Sequence, residues 1–297
     1  MLDDPRYRSV IASLAAIILG TACGPVAQDW SRNDGASQGL PVLGDEPLNR
    51  NVNAVLGCPV MRASEEVLIS RAAYLLSYAP SRRTIHWAAW RLIATDLGST
   101  DRQNNYSLDS DLETYLGRRG EHAVAADEYK GSCFDRGHQV PSGDRTSSVA
   151  INRQTFRMSN MLPQTPYLNR VIWEHMEAYE RELTRAGKTL FIYSGGVYEG
   201  PSQAIGPHRD IRVPSATFKI LAEVDSRNHV NSTLAVIMPN ITSGGDTDAV
   251  TNCDDAVNDD LGEDSGSPDD WRQYITTLEA VERRAEVSLS FLHADGL

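Results

Sequence analysis

His138, Asn169, Glu177 and Arg181 are the residues whose types and spacing best suit chemistry. An imidazole titrates near pH ~6.5, so a neutral histidine can take a proton from water under ordinary conditions. His138 follows Asp135-Arg136-Gly137. The glycine lets the backbone approach a neighbour closely, and the arginine can grip a phosphate through paired hydrogen bonds. The Asn169 carboxamide oxygen is a hard, neutral ligand suited to magnesium, an ion that keeps most of its waters. Glu177, two helical turns further on, could steer those waters. Each residue alone has a plainer reading. A lone histidine is usually structural, and Glu177 with Arg181 is an i, i+4 ion pair worth about 0.3–0.5 kcal/mol. Glu174 and His175 are adjacent, so on a helix they point apart and make no metal pair. Taken together, a base, a hard oxygen ligand and several cations are the parts that metal-assisted hydrolysis of a phosphodiester requires.

The elements that must position these residues are legible in outline. Phe134 to Val140 and Thr155 to Met161 read as short strands around a turn-rich segment. Thr165-Pro166 then opens a helix, with threonine at the N-cap and proline in the first turn, and Gly187 stands where a C-cap glycine belongs. In that helix Ile172, Met176, Tyr179 and Leu183 make an apolar stripe, while Asn169, Trp173, Glu177 and Arg181 recur in steps of four on another face. Val67 to Ser77 reads as one strand followed by a turn at Tyr78 to Arg82, and His86 to Asp96 as a strand or a short helix. Thr189 to Gly195, Thr217 to Val224 and Ser232 to Met238 read as strands, and Trp271 to Ala285 as a closing helix. Strands fall next to one another rather than alternating with helices. The expectation is α+β, with a mainly antiparallel central sheet flanked by helices.

The 297 residues carry a net charge of -12, which excludes a protein that coats nucleic acid by bulk charge but leaves room for a locally positive groove. Between Lys130 and Lys188 basic residues do outnumber acidic ones. Val10 to Leu19 is an apolar run too short to span a bilayer and suited to a signal-peptide core. The small residues Gly20 to Ala22 before Cys23 resemble a lipoprotein processing site, although Gly20 replaces the usual aliphatic residue and Asp3 and Asp4 offset Arg6 and Arg8. The reading is a leader over 1–23, with Cys23 as a lipid anchor on the membrane, a flexible tether over 24–50 and a folded unit from about Asn51 to Leu297. The protein is then an exported bacterial one: periplasmic, an envelope lipoprotein or secreted. Export permits one disulfide among Cys58, Cys133 and Cys253, and the spacing does not choose the pair. Residues 243–270 lack Lys and Arg and read as a solvated acidic insertion rather than a calcium loop.

Around the chemistry-bearing residues the chain resembles the DNA/RNA non-specific endonucleases of the ββα-metal type. The likeness rests on Asp135 to His138, Pro141 to Arg145, Ser159 to Gln164, and the helix carrying Asn169, Trp173, Glu177 and Arg181. It extends to Tyr74–Leu92, Arg102–Asp109, Val213–Lys219 and Trp271–Leu292, in the family's order. The resemblance implies a ββα-metal finger carrying the active site, and hydrolysis of both DNA and RNA to 5′-phosphorylated products. It implies His138 as general base, Asn169 as the direct ligand of a magnesium ion (manganese or another divalent cation substituting), and Glu177 acting on that ion through water. Arg102, Arg136 and Arg181 are implied as catalytic and substrate-binding arginines. A different class, a surface-tethered nucleic-acid binder without catalysis on the same scaffold, stays open at this point. Nothing in the sequence specifies an inhibitor protein or a homodimer.

Overall fold

The central strands are apolar on both faces because both faces are covered. The computed structural model describes residues 40–61, 65–201, 203–242 and 270–293. The leader, Cys23, Cys253 and all but the last residue of the acidic run lie outside the described residues. The strands are β1 (Val42–Leu43), β2 (Val60–Met61), β3 (Val67–Arg71), β4 (Tyr74–Ala79), β5 (Thr84–Leu92), β6 (Asp135–His138) and β7 (Met161–Gln164). They continue as β8 (Thr189–Val197), β9 (Gln203–Ile205), β10 (Ile211–Val213), β11 (Ala216–Val224), β12 (Val230–Pro239), β13 (Ile275–Thr276) and β14 (Val287–Ser288). The α-helices are α1 (Ser110–Gly117), α2 (Val149–Thr155), α3 (Trp173–Arg185) and α4 (Leu278–Arg284). The main sheet runs β1-β3-β4-β5-β8-β11-β12-β13. Only β1 and β3 pair in parallel; the other neighbours are antiparallel, so the α+β expectation holds.

One sheet face packs Trp90, Ile192, Leu221 and Val236 beneath Met176 of α3 and Leu112 of α1. The other packs Trp87, Tyr193 and Phe218 against Val281 of α4 and Leu292. A third cluster, including Tyr129, Phe134, Met158, Met161 and Ile211, lies around the β6–β7 pair. That pair with the following helix is the expected ββα finger, inserted between β5 and β8.

Several boundaries differ from the sequence reading. Val67 to Ser77 is not one strand: β3 and β4 turn at Ala72-Ala73, which offers none of the Gly, Asn or Pro that usually marks a turn. Thr155 to Met161 is not a strand but the end of α2 and a 3₁₀ turn (Met158–Asn160), with β7 beginning only at Met161. The closing helix breaks into a 3₁₀ turn, β13 and α4, because the Thr277 side chain accepts from the Ala280 N–H and caps a new helix there. His86 to Leu92 settles as strand. Residues 40–50, read as the end of the tether, carry β1, which adds to the sheet edge beside β3. Cys58 and Cys133 are both disulfide-bonded. Among the described residues, no helix is long and apolar enough to cross a membrane.

One charge sits inside the apolar layer. Lys219 of β11 is fully buried, with its Nζ 3.1 and 3.2 Å from the two carboxylate oxygens of Glu180, which is equally buried on α3. The ammonium also lies 4.4 Å from the centre of the Trp173 ring. Desolvating two charges is costly, and close bidentate contact offsets that cost only while both partners are present. Lys219→Met alone is therefore expected to lower unfolding free energy by about 3–5 kcal/mol in urea denaturation. The double variant Lys219→Met/Glu180→Leu should recover most of it. A double variant as unstable as the single one would show that the pairing is not what matters there.

Candidate active site

Glycine is what allows β6 and β7 to lie as they do. A Cβ at Gly137 would fall 1.9 Å from the Gln164 side-chain oxygen. His138 ends β6, and buried Asn160 brackets the backbone just beyond it. The Asn160 side-chain oxygen accepts from the Val140 N–H at 3.0 Å, and its amide donates to the carbonyls of Val140 (3.0 Å) and Thr155 (2.9 Å). The neighbouring Asp144-Arg145 is structural too. Arg145 is buried and donates to the carbonyls of Ala73 (2.7 Å) and Arg91 (2.8 Å), tying the loop to the sheet.

The helix bearing Asn169 starts as its sequence indicates. The Thr165 hydroxyl accepts from the Leu168 N–H at 3.2 Å, and Gly187 ends it at φ +89°. Its first part is not regular α-helix, however. Leu168–Ile172 forms a π-helical turn, and α3 proper begins at Trp173. Such single turns recur at functional sites, because one extra residue per turn re-aims a side chain. Asp135 locks the aim of Asn169: its Oδ2 accepts from the Asn169 amide at 2.9 Å and from Arg170 Nε at 2.8 Å, while Oδ1 accepts from Arg170 Nη2 at 2.8 Å. With its amide nitrogen committed to Asp135, Asn169 keeps its oxygen for another partner.

A cavity of ≈ 260 Å³ brings most of the expected residues together: Arg102, Arg136, His138, Asn169 and Glu177 all line it, with Tyr106, Pro141, Ser142, Arg170 and Glu174. Arg181 is not in this wall. Its Nη1 lies 3.5 Å from Asp144 and 3.7 Å from Glu177, and its Nη2 lies 3.6 Å from Glu174, so its charge is engaged behind the cavity. The i, i+4 pair is real, and it is one contact of a larger network. Trp173, on the same helical face by spacing, is in the core. Glu174 reaches the cavity and His175 does not, as adjacent positions on a helix require.

His138 is buried, and its Nε2 has no hydrogen-bond partner among the described residues. Two aromatic rings box it edge-on: Phe156 at 4.9 Å and Tyr106 at 5.6 Å between centroids. Each ring carries a guanidinium, Arg102 at 5.1 Å over Phe156 and Arg136 at 4.0 Å over Tyr106. Burial, with the charges of Arg102 and Arg136, pushes the His138 pKa down to about 3, so the ring is neutral. Glu177 moves the other way. Burial raises it to about 7, against the pull of Lys219 and Arg181. A cation beside it would relieve that burial and hold the carboxylate ionised.

The residues fit a hard divalent ion. Among the described residues no cluster of three or more His, Cys, Asp or Glu could hold a metal. The donors available are instead the oriented carboxamide oxygen of Asn169 and the carboxylates of Glu174 and Glu177 in a polar cavity, a sparse set that suits an ion that retains most of its waters. The sequence reading did not assign roles to Asp135, Tyr106, Phe156, Asp144, Glu180 or Lys219. Asp135, Tyr106, Asp144 and Lys219 lie inside the motifs quoted above, with no contact assigned to them there. Phe156 and Glu180 are not motif residues, and their partners are distant in sequence.

A ββα finger set into an antiparallel sheet, with a histidine and an oriented asparagine facing one cavity, is the frame of a phosphodiester-cleaving nuclease. The chain belongs to the DNA/RNA non-specific endonuclease family, whose model matches residues 57–294. It is similar to a nuclease from Nostoc sp., at 31% identity over 92% of this chain and 88% of that protein. It is also similar to mitochondrial endonuclease G from Bos taurus, at 29% identity over 69% of this chain and 76% of that protein. In fold it matches a solved chain from an EndoG/EndoGI complex, with a TM-score of 0.60, 22% identity, and coverage of 79% of this chain and 88% of that one. The protein is thus a nuclease, a hydrolytic enzyme acting on DNA and RNA, of a family that uses divalent metal ions.

The boxed histidine has a measurable consequence. In metal-free protein, the ring resonances of His138 should not titrate between about pH 5 and 8. Titration in that window would mean that solvent reaches the ring. The unfolded chain takes this proton near pH ~6.5 and the folded one only near 3, so acidification through that range removes stability. His138→Gln should flatten that part of the stability profile.

Proposed function

We propose that the protein is a magnesium-dependent, sugar-non-specific endonuclease that leaves 5′-phosphorylated ends on DNA and RNA. The observation that carries this reading is the unpartnered Nε2 of a neutral His138 in the wall shared with Asn169 and Glu177. His138 Nε2 takes the proton of the water that attacks phosphorus, and the bond from phosphorus to the 3′-oxygen breaks. Entry of an anionic phosphate between Arg102 and Arg136 offsets the two charges that depress the histidine, so its basicity rises when substrate binds. The same guanidiniums hold the phosphate oxygens as negative charge builds. Asn169 would hold the magnesium ion directly and Glu177 would hold it through water. When bound there, the ion supplies Lewis-acid stabilisation of the phosphate and of the departing oxygen. Manganese would use the same oxygen donors. Arg181, with its charge engaged by Asp144, Glu174 and Glu177, acts by orienting Glu177 rather than by touching substrate. Contacts to phosphate and sugar alone leave the base sequence unread. The apolar run Val10 to Leu19 supports export, with Cys23 as the anchoring residue.

The test is plasmid and ribosomal RNA incubated with the purified protein, with magnesium and with chelator. Wild type should cut both nucleic acids only with the metal. His138→Ala should lower kcat by about 10²–10⁴-fold, with an unchanged circular-dichroism spectrum. Near wild-type turnover in that variant would remove the base assignment. Asn169→Ala should raise the magnesium concentration needed for half-maximal rate, and an unshifted metal titration would show that another group is the ligand.

A further inference from the structure

The catalytic cavity opens on one side into two more clefts. The first, ≈ 370 Å³, shares Tyr106, Arg136 and Asn169 with it and is walled by Tyr129, Phe134 and Lys130. The second, ≈ 470 Å³, shares Lys130 with the first and runs to Arg209 on the β9–β10 turn. Arg136, Lys130 and Arg209 have no carboxylate partner among the described residues, in a chain of net charge -12. At the opposite end of the catalytic cavity stand Glu174 and Glu177. Both further clefts lie on the Tyr106–Arg136 side of the cavity; of the acids that line them, Asp135 is paired with Arg170 and Glu128 with Arg83, which leaves Asp127 beside the three unpaired cations. A groove of spaced cations with aromatic walls is the arrangement that tracks a single nucleic-acid strand through phosphates and base faces.

We propose that these clefts carry the substrate strand away from the scissile phosphate on one side only. Lys130 and Arg209 hold successive phosphates, and the pocket walled by Tyr129 and Phe134 takes the neighbouring nucleoside. This rests on the nuclease reading above and adds to it a direction and two contact residues outside the catalytic cavity. Lys130 and Arg209 are exposed, so their removal spares the core. Arg209 has φ +51°, which asparagine tolerates, so the variant to make is Lys130→Gln/Arg209→Asn.

The experiment measures fluorescence anisotropy of a labelled single-stranded DNA of about ten nucleotides, and of a dinucleotide, across a salt series in chelator. The full chain carrying His138→Ala is the parent, so binding is read without cleavage. For the parent, affinity should rise with strand length. Adding Lys130→Gln/Arg209→Asn should abolish most of that rise and lower the slope of log K against log salt by about 1.4, the amount for two phosphate contacts on a single strand. Adding Arg227→Ala/Arg283→Ala instead, on the β11–β12 turn and on α4, should change neither. An unchanged slope in the first variant, or an equal loss in the second, overturns the track. An inactive wild type in the plasmid assay overturns the nuclease reading instead, and the binding slopes remain readable in either case.

Discussion

The ion pair between Lys219 and Glu180 is the constraint on which the rest of the site hangs. Among the described residues it is the one ion pair that joins the sheet to α3, and both partners are fully buried. Burial pushes the Glu180 carboxyl up, the Lys219 ammonium pulls it down, and nearby Asp144 adds to the upward push. Asp144 in turn accepts from the Trp90 indole at 2.9 Å and faces Arg181 at 3.5 Å, and Arg181 faces Glu177. Buried charges tolerate few alternative arrangements, so α3 has little freedom to rotate or slide on the sheet. Asn169 and Glu177, on the cavity side of the same helix, inherit that fixed position.

At the other wall the same physics works through exclusion. His138 is kept neutral by burial and by two arginines, and those arginines are themselves held over Tyr106 and Phe156. Rings that stack guanidiniums on their faces and present edges to an imidazole concentrate positive field at one spot without filling the cavity. A protein with net charge -12 can in this way offer an anion a locally favourable path. Asp135 completes the arrangement by turning Asn169 through its amide nitrogen.

The motifs were legible where a local rule governed them. The Thr165 cap, the Gly187 stop and the apolar stripe of α3 follow from short-range sterics and hydrogen bonding, and the Asp135 to His138 box is legible through its resemblance to the family's. The turn at Ala72-Ala73 and the π turn at Leu168–Ile172 were not legible. The first lacks special turn residues, and the second is a change of register that spacing in steps of four does not reveal. Arg181 shows a third case, in which the motif gives the residue and the fold gives its partners. Its place in the motif implies a substrate-binding role, and the fold sets three carboxylates around it, among them Asp144 far away in sequence.

By itself, then, the sequence determined the family, the α+β class and the identity of the base and ligand candidates, because residue type and spacing carry reactivity and local geometry. Tertiary structure alone decided which charges meet. Ion pairing and desolvation are through-space effects: Lys219 meets Glu180, Arg145 meets the carbonyls of Ala73 and Arg91, and Arg181 meets Asp144, each dozens of residues away in the chain. The same holds for the clefts beyond Tyr106, whose walls exist only once the 126–136 segment lies against the β9–β10 hairpin.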